Sequence, residues 1–117
     1  MPGREDIFQK AMNEGHSAAW DREWDKACAA YRYALEEFPD HPKALSSLGL
    51  ALYQLGKVEE ALPIYMSVAR ISPDDPVPME KVALLSERLG DLKTAIDAAL
   101  RAGDLFLKQR DTEKALE

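Results

Sequence analysis

The chain has 117 residues, of which 46% are apolar, and carries a net charge of −6. That suffices for one domain with a modest core and argues against a disordered polar chain. The acidity argues against a nucleic-acid partner, because phosphate binding needs a basic field, and no Lys/Arg cluster suits an anionic membrane.

The first residues, "MPGREDIFQKAMNEG", place charges where a signal peptide needs an apolar core. The longest uncharged run, residues 44–56, has 13 residues, whereas a spanning helix needs about 20. The only cysteine is Cys28, which rules out an intrachain disulfide and suits a reducing compartment. A cytoplasmic location is expected.

A period of 34 residues runs along the chain. Gly15, Ala27, Tyr31 and Pro39 of residues 8–41 recur as Gly49, Ala61, Tyr65 and Pro73 in residues 42–75. In residues 76–109 Ala83, Ala95 and Ala99 hold the matching places, and Leu107 replaces the proline. The first unit reads as two helices joined at Arg22, which stands where the other units have glycine. That turn needs another geometry or bears strain.

In the second unit Leu45, Leu48, Gly49 and Leu52 lie on one helical face, and Val58, Ala61, Leu62, Tyr65, Val68 and Ala69 on another. Gly56 and Gly90 stand just past a helix end, where a left-handed backbone favours glycine. Pro42 and Pro76 sit at expected first helical positions, and Asp91 is a good N-cap. Gly49 and Ala61 let two helices approach closely. Pro63, about five residues into its helix, predicts a bend or a ragged first turn near 59–63.

Beyond Asp91 two registers compete, and one long helix from about Leu92 to Gln109 satisfies both. A further helix is then expected near Thr112, broken off at Glu117, so the chain reads as a piece of a longer repeat protein. The expected span is one domain over 1–117, with repeats at 8–41, 42–75 and 76–109 and the start of a further helix at 110–117.

The spacing Leu45-x₂-Leu48-Gly49-x₂-Leu52, Ala61-x₃-Tyr65 and Pro73 resembles the tetratricopeptide repeat pattern W-x₂-L-G-x₂-Y…A-x₃-F…P. The resemblance covers about 8–109 in three units. It implies an all-α, right-handed superhelical solenoid of antiparallel helix hairpins. Trp24, Tyr31 and Tyr65 then read as packing residues.

Chemistry is sparse. His16 lies mid-helix and His41 in a turn, without Cys or His at metal-ligand spacing, so no metal is expected. Cys28, among the apolar residues of a helix, reads as an inert thiol. No phosphate-cradling glycine loop occurs. No cofactor and no catalytic role are expected.

A second stripe remains on each first helix: Gln9, Met12, His16, Ala19 and Trp20; then Lys43, Ser46, Leu50, Tyr53 and Gln54; then Val77, Glu80, Leu84, Glu87 and Arg88. The resemblance implies that these line a concave groove that holds a peptide or protein segment. Trp20 and Leu50 suit groove and packing equally. Residues 8–41 carry four basic and seven acidic side chains, a net −3, while 42–75 sum to −1 and 76–109 to zero. A clamp for chaperone C-terminal tails is not expected, because the matching places hold Met12, His16, Ser47, Val77 and Lys81, and only Lys81 suits a carboxylate. Self-association, or service as a scaffold or regulatory segment of a larger protein, stays open.

Overall fold

The computed structural model describes residues 3–116; Met1, Pro2 and Glu117, the ends of the expected span, lie outside the described residues. Among these there are six helices and no strand: α1 (Arg4–Trp20), α2 (Trp24–Glu37), α3 (Pro42–Gln54), α4 (Val58–Ile71), α5 (Pro76–Arg88) and α6 (Leu92–Leu116). They pair as the hairpins α1–α2, α3–α4 and α5–α6, and each helix packs chiefly on its neighbours in sequence. The Cα radius of gyration is 15.7 Å, against about 13 Å for a compact domain of this length. The chain is an all-α, right-handed superhelical solenoid rather than a closed bundle.

One turn geometry closes all three hairpins. The backbone N–H groups of Glu23, Lys57 and Asp91 donate to the carbonyls of Ala18, Leu52 and Ser86 at 2.8, 2.9 and 2.9 Å. The residue before each donor is left-handed: Arg22 at φ 59°, Gly56 at 77° and Gly90 at 82°. This is the Schellman arrangement, which satisfies carbonyls that a helix end leaves free. Arg22 therefore adopts the glycine geometry and bears its strain, roughly 1–2 kcal/mol for a side chain in that region.

Helix starts are equally local. Pro42 and Pro76 occupy first-turn positions. Asp75 Oδ1 accepts the Val77 N–H at 3.0 Å, and Asp91 Oδ1 accepts the Thr94 N–H at 3.2 Å. Hydrogen bonds from the Thr94 side chain and backbone hold the Asp91 carboxyl below its usual range.

The glycines of the repeat seat tyrosine rings. A Cβ at Gly15 would lie 2.4 Å from Cε1 of Tyr31, and one at Gly49 would lie 2.9 Å from Cε2 of Tyr65. It is the ring, not the backbone at Ala61, that fills the space beside Gly49. Ala27 and Ala61 are nonetheless fully buried, as a tight helix pair requires. The third unit has Ala83 and Ala99 at these places; with no ring to seat, it needs no glycine.

One alternative at Pro63 and the expected end of the last helix are corrected. α4 starts cleanly, with the Ala61 N–H donating to the Lys57 carbonyl at 3.0 Å, and runs unbroken through Pro63 to Ile71. Of the two outcomes expected at Pro63, a bend or a ragged first turn, the ragged turn is absent: Pro63 and Glu59 face solvent, where water can satisfy the carbonyl that proline leaves unbonded. α6 likewise does not stop at Gln109 with a new helix at Thr112; it continues to Leu116. Residues 104–116 contain neither glycine nor proline, and the Thr112 hydroxyl donates back to the Lys108 carbonyl at 2.9 Å within the same helix.

Candidate functional site

The first helices of the hairpins, α1, α3 and α5, present the second stripe at a 34-residue interval. Gln9, Lys43, Glu80, Gln54 and Glu87 are exposed, and Ser46, Ala19 and Leu84 are half-buried. Gln9 is tied to its own helix, its amide donating to Asn13 Oδ1 at 3.0 Å. Met12 is corrected: it is 2% exposed and belongs to the core with Phe8 and Ala11, so it is not available to a groove. The apolar face of α1 is broad enough to take in Met12, since core-facing helices carry stripes of about 100° or more.

Between the first two hairpins the stripe forms a depression of about 310 Å³, lined by His16, Ala19, Trp20, Trp24, Tyr31, Ser47 and Leu50. Trp20 is 89% exposed and Leu50 42% exposed, so both face the depression rather than the core. At its base His16 Nδ1 and the Tyr31 hydroxyl are 2.8 Å apart. Burial pushes the Tyr31 hydroxyl above its ordinary range, against a hydrogen bond from Ser47 that draws it down. The phenol thus stays protonated at neutral pH, and its O–H can donate to Nδ1 of a neutral imidazole.

Trp24, Tyr31 and Ser47 are wall residues that stripe reasoning assigns to packing or leaves out. Trp24 and Tyr31 lie on α2, and a pattern read along the first helices cannot reach them. The signal was present in Tyr31, whose ring packs on Gly15 while its polar end needs a partner when buried.

A second cluster joins the second and third hairpins. The Arg88 guanidinium carbon lies 4.9 Å from the centroid of the Tyr53 ring, within cation–π range. Two stripe residues from successive units are thereby brought together. Behind them the Tyr65 hydroxyl is pushed up to about 12, by burial first and by its proximity to Tyr53 second.

Cys28 is buried, and burial pushes its thiol up, away from the reactive thiolate. Among the described residues no three His, Cys, Asp or Glu side chains come together as a metal site. No helix among them is long and apolar enough to cross a membrane.

Residues 12–76 match the family model described as tetratricopeptide repeat. The chain belongs to the tetratricopeptide repeat family. Among the relatives of this repeat chain is cellulose synthase operon protein C of Pseudomonas fluorescens (strain SBW25), 37% identical over 74% of this chain and 7% of that protein. The chain spans between 7% and 20% of the length of four curated relatives that it matches. Solved structures with the same repeat stack include a chain of the CopN–Scc3 complex, with a TM-score of 0.81, 25% identity, and coverage of 86% of this chain and 59% of that one. A crystal structure of MamA aligns with a TM-score of 0.84 at 19% identity, over 89% of this chain and 61% of its own.

Proposed function

We propose that this tetratricopeptide chain is a non-enzymatic protein-interaction module that holds a peptide or protein segment along α1, α3 and α5. The observation that carries the reading is the exposed Trp20 beside Leu50 at the mouth of the His16–Tyr31 depression. Large aromatic side chains kept in solvent next to a preformed apolar pocket are the usual anchors of recognition. The face is built on packed helices, so little ordering accompanies binding. The Tyr53–Arg88 pair supplies a second contact point, with a cation for an acidic residue of the segment. That the structurally similar CopN–Scc3 chain was solved within a protein complex supports the same reading.

The test is selection of peptides from a random library on the purified chain, followed by affinity measurement on Trp20→Ala and Tyr53→Ala. Each is expected to weaken the selected peptides by about tenfold, the effect of losing one anchor. Peptides that bind both variants as well as the parent would place recognition on another face.

Self-association is a second reading, favoured by α6. Its exposed Leu92, Ile96 and Leu100 form an apolar strip; the places matching Ile96 in the earlier units, Cys28 and Leu62, pack into the core. A concentration-independent dimer in light scattering would support that role, and a monomer would oppose it.

A further inference from the structure

Where the second and third hairpins meet, α4, α5 and α6 line an open cleft of about 430 Å³ that shares no residue with the Trp20 depression. This falls within the roughly 300–1,000 Å³ of small-molecule sites. Its apolar lining comes from Met66, Ala69, Met79, Val82, Ala98 and Leu105. Arg70 from α4 and Arg101 from α6 complete the walls, with Thr94, Asp97 and the Pro73 turn. Among the described residues neither arginine has an ion-pair partner within 4.0 Å, and Asp97 pairs with neither. Arg70 makes one long hydrogen bond, at 3.3 Å, to the Ser67 hydroxyl.

The repeat supplies an internal control. Thirty-four residues earlier the same positions are filled. Leu35 stands for Ala69 and Ile64 for Ala98, and both pack against the core. Arg32 and Glu60, which stand for Met66 and Thr94, form an ion pair at 3.6 Å across that junction. Two large-to-alanine exchanges, each removing three carbons, together with the loss of the ion pair, therefore accompany the open cleft between α4 and α6. Arg70 and Arg101 replace Glu36 and Ser67, so the opening also gains two cations. In a chain of net charge −6, a local excess of positive charge beside an apolar floor is a specific feature. Leu35 and Ile64 fill the matching place between α2 and α4, and the lining of the cleft includes no α2 residue. Past Leu105 the lining turns polar, with Asp74, Lys108, Gln109, Thr112 and Glu113. An extended peptide has no continuous apolar path here, whereas a short amphiphile fits.

We propose that this cleft binds a small amphipathic anion, in chemical class a medium-chain carboxylate, with its apolar tail over Ala69 and Ala98 and its head group between Arg70 and Arg101. Guanidinium groups suit carboxylates because their N–H donors match the two oxygens. The site is separate from the α1–α3–α5 face and does not depend on the reading given to it.

The test is a titration of the intact chain, carrying ¹³C-methyl methionine, with sodium octanoate, followed by NMR. The Met66 and Met79 methyls are expected to shift and saturate, while Met12, buried in α1, stays in place. The neutral 1-octanol and the cationic octylamine should bind at least about tenfold more weakly, since they forgo the charge-assisted bonds. Ala69→Leu with Ala98→Ile, which restores the filling found between α2 and α4, should abolish the shifts. The surface pair Arg70→Gln with Arg101→Gln, which leaves the packing alone, should bring octanoate down to the affinity of 1-octanol. Absence of saturable shifts at Met66 and Met79, equal binding of octanoate and 1-octanol by the parent chain, or full octanoate affinity in the double arginine variant would each overturn the assignment.

Discussion

Substituting Gly15 with alanine tests how the hairpins are held. The added methyl would meet three ring atoms of Tyr31 at 2.4, 2.7 and 2.9 Å. The ring has little room to retreat, because Tyr31 is buried and its hydroxyl is tethered to His16 at 2.8 Å. Overpacking of this kind costs about 1–3 kcal/mol. With all three of these ring atoms nearer than 3.0 Å the cost lies in the upper part of that range, about 2–3 kcal/mol; alanine returns about 1 kcal/mol of helix propensity, so the expected net loss is about 1–2 kcal/mol. Gly49→Ala, where only one ring atom of Tyr65 comes nearer than 3.0 Å, should lose less. In a Tyr31→Ala background the sign should reverse: with no ring to meet, Gly15→Ala gains up to about 1 kcal/mol. Urea unfolding followed by far-UV circular dichroism reads all four chains of this cycle. A Gly15→Ala variant as stable as the parent, or one that loses the same amount with and without the Tyr31 ring, would refute the seating of tyrosine on glycine.

Two further outcomes follow from the turns and the buried phenols. Arg22→Gly should raise stability by about 1 kcal/mol by relieving a left-handed side chain, whereas Gly56→Ala and Gly90→Ala should lower it by a similar amount; a thermal unfolding series checks the three together. Tyr65 ionises near 12 in the folded chain, against 10.0 for its ordinary value. The unfolded chain therefore releases that proton first, so the stabilisation is complete below about pH 10 and is lost as pH rises toward 12. A tyrosinate absorbance titration that shows all phenols ionising together at the ordinary value, with the fold intact, would contradict this.

Much of the fold was legible because each recurring residue answers one geometric demand. Gly56 and Gly90 mark the left-handed turn, Pro42 and Pro76 the helix start, and Gly15 and Gly49 a space that the structure fills with a ring. The candidate site was less legible. A helical stripe tells which residues share a face but not how far round the covering helix reaches, and that is why Met12 falls inside. Trp24 and Tyr31 reach the depression from α2, out of sight of a pattern taken along α1. The cleft beside Ala69 and Ala98 left no mark at all, because alanine satisfies an apolar period as well as leucine does. Only comparison with Leu35 and Ile64, once contacts are known, turns the smaller residue into a space.

Helices that touch chiefly their neighbours in sequence give the chain a low contact order, and such topologies fold fast because few distant segments must find each other. They also divide cooperativity into units joined by two interfaces, α2 on α3 and α4 on α5. An outer hairpin can then melt while the others persist, and whatever seats between Arg70 and Arg101, one on α4 and the other on α6, would tie the third unit to the second and make them unravel together.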